Sequence, residues 1–226
     1  MLIRIKARPS VPSAALTSPR PVAVPPSNLR VRSRPMRILD FDIENRPLSY
    51  LGSDFTTAEV TAIAWAWTDA PQDVTVHLLG QTDLINILTA FLAVYQHADI
   101  VTGHYIRGHD LPMINGALME LGLPPLPDKL TQDTKLDLMR AKGLSRSQES
   151  LAAMFRLDHQ KVPMNQIRWR AANRLTPEGL AHVRERVVGD VQQHIEMRQR
   201  LLELGYLGPA RLWLSYSAEP IAAYTP

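Results

Sequence analysis

Ile38-Leu39-Asp40-Phe41-Asp42-Ile43-Glu44 reads as a buried β-strand that runs into a pair of carboxylates. In a strand, residues i and i+2 point to the same face, so Asp42 and Glu44 stand side by side. Two like charges held together repel, and a hard divalent cation is the usual reason to keep them so, because oxygen ligands suit Mg²⁺ or Mn²⁺. Acidic residues are also common on exposed strands, and Asp-x-Glu alone leaves both readings open.

The 226-residue chain has room for one domain with a full core. Its 45% apolar and 21% charged residues are those of a globular protein. There is no Cys, which excludes disulfides, thiolate metal sites and cysteine nucleophiles, and agrees with a reducing compartment. No apolar run approaches the roughly 20 residues of a membrane span.

Charge is unevenly spread. Residues 1–35 carry seven basic side chains and no acidic one, leaving 18 basic against 22 acidic over 36–226. The pI near 9.3 therefore belongs to the N-terminal arm. The arm holds seven of the 18 prolines and reads as disordered. Three readings stay open: a basic nucleic-acid tether, an organellar targeting segment, or residues upstream of a true start at Met36. The expected compartment is cytoplasmic (a host cytoplasm or nucleoid for a phage protein), with organellar targeting as the alternative.

Downstream, Val60–Thr68 alternates as a strand and Asp73–Leu79 as its hairpin partner. Asp83–His97 has helical spacing behind Thr82 as N-cap, and Ile100-Val101-Thr102 is a short buried strand. Asp110–Leu121 reads as a helix stopped at Gly122, and Leu130–Thr134 as extended. Helices follow to about residue 206, the last starting at Thr176-Pro177. The order predicts an α/β fold, a mixed sheet with helices on its faces.

Two further acids stand out. Asp110 sits where a helix follows a buried strand, at a sheet edge where open α/β folds place their sites; it could equally be an N-cap. Asp190 lies in Val187-Val188-Gly189-Asp190-Val191, beside an apolar helix face where charge is costly unless paired or metal-bound.

Together Asp42, Glu44, Asp110 and Asp190 resemble the DEDD superfamily of 3′–5′ exonucleases, over about residues 36–206. Asp-x-Glu on the first strand, an Asp after the fourth and an Asp on the last helix match its three motifs. The resemblance implies a ribonuclease H-like fold, with a five-stranded mixed sheet flanked by helices; residues 207–226 beyond it read as a C-terminal tail. It implies two divalent cations, Mg²⁺ or Mn²⁺: Asp42 bridging both, Glu44 and Asp190 on one, Asp110 on the other. It further implies hydrolysis from the 3′ end of a single-stranded or frayed DNA, in replication or repair. Arg46, Arg107 and Arg186 are the candidate strand contacts. Leu130–Asp137 and Ser147–Phe155 are also similar to relatives, with Asp133 read as structural.

The chain departs from the family at its proton acceptor. Where the third motif carries Tyr four residues or His five residues before its Asp, this chain has Arg186 and Glu185. Arg186 cannot accept a proton at neutral pH and would pair with Asp190 or hold a phosphate. Glu185 points about 100° away round the helix. His109 is the candidate catalytic contributor, with His182 and His194 flanking Asp190. Tyr105 and His109 stand where the second motif commonly has Asn and Phe or Tyr. The rival readings are an exoribonuclease of the same superfamily, and a weakly catalytic nucleic-acid-binding or polymerase-partner module docking through Leu212-Trp213-Leu214.

Overall fold

The computed structural model describes residues 34–49, 52, 55–138 and 140–215. The arm read over 1–35 lies outside these apart from Arg34 and Pro35, as does the end of the tail from residue 216. In chain order the elements are β1 (Ile38–Pro47), β2 (Ala58–Trp67), β3 (Thr75–Leu78), α1 (Leu84–His97), β4 (Ile100–Gly103), α2 (Asp110–Glu120), β5 (Lys129–Asp133), α3 (Gln148–Phe155), α4 (Gln166–Asn173), α5 (Pro177–Glu203) and β6 (Arg211–Trp213). The sheet order is β3-β2-β1-β4-β5-β6. β1, β4 and β5 run parallel, while β2, β3 and β6 are antiparallel to their neighbours. The predicted α/β class and mixed sheet hold, and the architecture is compatible with a ribonuclease H-like fold.

The sheet has six strands among the described residues, where the sequence predicted five. Arg211–Trp213, read as part of a tail, pairs antiparallel with β5 from Lys129 to Thr131. Three residues are too few to show a strand period. A smaller correction concerns α1: its N-cap position is Asp83, without a side-chain cap bond, and Thr82 instead bridges Leu79.

Alternation on β1 and β2 decides where everything sits. Leu39, Phe41 and Ile43 point with Ile63 and Trp65 into a large core shared with Ile87 and Phe91 of α1 and Ile114 of α2. The opposite face of β2 offers only Ala62, Ala64 and Ala66, against which Val183, Val187 and Val191 of α5 pack. Methyl groups leave room for a helix to lie close to the sheet. The acidic positions of β1 share that face, so α5 comes to rest over them.

α5 begins as predicted, with Thr176 Oγ1 accepting the Gly179 N–H at 3.1 Å and Pro177 in the first turn. Gly179 also lets α4 approach: a Cβ there would stand 2.2 Å from the carbonyl carbon of Ala171. α4 is thereby seated against the start of α5.

Candidate active site

β1 and α5 meet as a ladder of three rungs. Along a strand, alternate residues are about 6.6–6.8 Å apart. On a helix, residues four apart rise about 6 Å. Asp40, Asp42 and Glu44 can therefore face His194, Asp190 and Arg186 one for one. The outer rungs each set a basic side chain against an acidic one: Arg186 Nε donates to Glu44 Oε1 at 2.7 Å, and His194 Nδ1 lies 2.5 Å from Asp40 Oδ2. The middle rung joins two carboxylates, and one oxygen each of Asp42, Glu44 and Asp190 lies within 4.8 Å of the others.

Asp110 enters from the first residue of α2. Its Oδ1 accepts the Ile43 N–H at 3.3 Å, and His109 Nδ1 lies 3.4 Å from its Oδ2. The N-cap position itself is His109, so Asp110 is not the helix cap. All four acids line one cavity of about 260 Å³, together with His109, Tyr105, Lys135, Lys161 and Arg186.

Crowding and burial set the electrostatics. Burial pushes the Asp42 carboxyl well above the usual carboxylate range, and Asp190, Asp110 and Glu44 push it further. Burial also raises Glu44 against the pull of Arg186, Asp110 against His109, and Asp190 against Lys161 and Arg186. The hydrogen bond to Asp110 in turn raises the His109 imidazole. Asp190 is 3% exposed and its Oδ1 has no hydrogen-bond partner. An orphaned buried oxygen among all-oxygen donors fits a hard divalent cation.

These shifts give a pH dependence with a definite sign. Each carboxyl binds its proton more tightly folded than unfolded, so its contribution favours folding below the ordinary carboxylate pKa of about 4 and is lost as pH rises through the raised folded values. The cluster's contribution to the melting temperature of metal-free protein should therefore fall as pH rises above about 4, and a bound divalent cation should offset most at the upper end. Calorimetry in chelator and in Mg²⁺ checks this; a gap between the two melting temperatures that narrows as pH rises would refute it.

Not all predicted residues gather here. Arg46 leaves the cavity, donating to Glu59 Oε2 at 2.7 Å and to the Asn173 carbonyl at 2.8 Å. Arg107 is held by Asp137 at 2.5 Å, beside Asp133 at 3.9 Å. Asp133 is fully buried and accepts backbone N–H groups from Tyr105, Arg107, Lys135 and Leu136. It ties the β4–α2 loop to the end of β5. Glu185 is exposed and, like His182, does not line the cavity.

Arg186 is the one candidate strand contact in the cavity. Besides Glu44 it reaches Asp190 Oδ2 at 3.7 Å, donates to the Val162 carbonyl at 2.9 Å and stands 5.3 Å over the Trp169 ring. Sequence reasoning missed Lys161, whose Nζ is 3.7 Å from Asp190 Oδ2 and 3.6 Å from Glu149. It belongs to an irregular segment between α3 and α4, and no periodicity marks it. The rung to Asp40 was also missed, although Asp40 shares the i, i+2 pattern of Asp42 and Glu44. Behind that rung, His194 Nε2 is 3.0 Å from Thr134 Oγ1, which is 2.9 Å from His104 Nδ1 at the cavity wall.

No family model and no curated protein matches the chain. Among solved structures, it is similar to the family B DNA polymerase from the hyperthermophilic archaeon Pyrobaculum calidifontis, with a TM-score of 0.59 and 17% identity. The match covers 76% of this chain and 25% of the polymerase chain, so it spans about a quarter of that protein's length. At this identity the likeness is one of fold.

Proposed function

We propose that this chain is a metal-dependent 3′–5′ exonuclease that hydrolyses the terminal phosphodiester bond of a DNA strand, with residues 36–206 as its nuclease domain and a role in replication or repair. The observation that carries the reading is the convergence of Asp42, Glu44 and Asp190, with oxygens within 4.8 Å of one another at the junction of β1 and α5. Asp42, Glu44, Asp110 and Asp190 would hold two divalent cations, Mg²⁺ or Mn²⁺. When bound, such ions supply the positive charge that activates a water and stabilises the leaving 3′ oxygen in an in-line displacement.

The chain's own side chains do the rest. Arg186 carries its charge at every working pH and orients Glu44, while its place in the cavity suits the phosphate being cleaved. His109 turns Nδ1 onto Asp110 at the cavity wall and is 42% exposed, which leaves Nε2 as the ring nitrogen that can take up or return a proton. The likeness to a DNA polymerase favours DNA over RNA. One observation favours a second reading, a binding or polymerase-partner module: Arg186 and Lys161 already neutralise part of the acidic cluster.

The test uses 5′-labelled single strands of DNA and of RNA with Mg²⁺, with Mn²⁺ and with chelator. Stepwise shortening from the 3′ end, release of nucleoside monophosphates, preference for DNA and arrest by chelator are expected. Undiminished cleavage in chelator would refute the mechanism. Strands bound but left intact in every metal would favour the module.

A further inference from the structure

Helix α4 presents a basic surface. From Gln166 to Arg174 there are three arginines and no acid, in a body where acidic residues outnumber basic ones. Ala171 and Ala172 turn toward α5, and Ala172 is buried there. Trp169, Arg170, Asn173 and Arg174 line the other side, around a surface cavity of about 450 Å³. That spacing is one helix face, three and four residues apart.

The charge on this face is unspent. Arg170 and Arg174 are exposed, and neither has an ion-pair partner among the described residues. The Arg168 guanidinium donates to the Pro163 carbonyl and has no ion-pair partner among the described residues. A cation near a helix C-terminus offsets the helix dipole, which gives Arg170 a structural use. Trp169, half-buried between the arginines, packs one side on the core beneath α5 and lines the surface cavity with the rest. The face also continues into the acidic cavity, because the Trp169 ring lies 5.3 Å from the Arg186 guanidinium that binds Glu44.

We propose that α4 is the track on which a single nucleic-acid strand lies before its end enters the acidic cavity. This rests on the nuclease reading above. Guanidinium groups suit phosphate oxygens, and an aromatic ring between them stacks an unpaired base without regard to its identity. The arginines also offset the repulsion between a phosphate backbone and a body rich in carboxylates.

The experiment compares wild type with the double variant Arg170→Gln/Arg174→Gln. Both residues are exposed and outside the acidic cavity, so the variant keeps its fold. Binding of a fluorescent single strand is measured in chelator across a salt series. Loss of two phosphate contacts should flatten the slope of log affinity against log salt by about 1.4 and weaken binding about tenfold at low salt. With Mg²⁺, the KM for an oligonucleotide should rise, while cleavage of a dinucleotide, which lacks the upstream phosphates, should change less. Unchanged salt slope and KM would overturn the track, and would leave an acidic protein as the patch's partner. A wild type that binds strands through α4 but cuts neither substrate would overturn the nuclease reading and spare the track.

Discussion

Asp42→Asn should lower the rate of strand cleavage by at least about 10²-fold while raising the melting temperature of the metal-free protein. Asp42 is the middle of the ladder, with Asp190, Asp110 and Glu44 all repelling its charge. Asparagine has the same shape and no charge, so it relieves that repulsion without opening a cavity. A gain of about 1 kcal/mol would raise the melting temperature by about 2–4 °C in a domain of this size. The same substitution removes one of the carboxylates that would hold the cations. Opposite changes in stability and activity are the signature of a residue kept for chemistry, and a structural Asp would lose both. Undiminished cleavage by the variant would sink the assignment, and so would a fall in melting temperature comparable to that of a core mutation.

The other large effect is expected at the inner rung. His194→Ala should destabilise the fold by about 3–5 kcal/mol, because it leaves the buried Asp40 carboxyl without its hydrogen-bond partner. Asp40 is fully buried and His194 only 2% exposed, so water cannot replace the lost partner. Burial already pushes the Asp40 carboxyl upward against the pull of His194 and Arg198. The Thr134 hydroxyl would lose one of its partners, at 3.0 Å, as well. At a few degrees per kcal/mol, the melting temperature should drop on the order of 10 °C. Removing both partners should cost much less than the sum of the single losses, because neither buried group is then left facing a missing partner. Chemical denaturation of the two single variants and Asp40→Ala/His194→Ala measures the coupling. Strict additivity would show that the two do not act as a unit.

How much of this was legible in the sequence follows from how far apart the partners lie. The facing of Asp42 and Glu44 is local, fixed by a two-residue strand period. The start of α5 is local too, written in Thr176 and Pro177. The link between Glu44 and Arg186 spans 142 residues and depends on how α5 is phased against β1, which no local pattern encodes. Sequence spacing placed Arg186 beside its helix neighbour Asp190, yet its closer partner is Glu44 on the strand, at 2.7 Å against 3.7 Å. Arg46 and Arg107 were singled out for nearness in the chain to the acids, and both turn to other partners in space. Lys161 comes from a segment without secondary structure, and β6 is too short for its period to register.

The alanines of β2 carry a consequence for the acids beside them. Asp40 is paired in register with Ala66, Asp42 with Ala64 and Glu44 with Ala62. Each carboxylate thus has a methyl group as its lateral neighbour, and those three methyls act as shims that set the clearance between helix and sheet. The tolerance on the acidic cluster is written in the core rather than in the cluster itself. A larger side chain at Ala62, Ala64 or Ala66 would jack α5 off the sheet and part Asp190 from Asp42, so damage in the hydrophobic interior would surface as a fault in the chemistry.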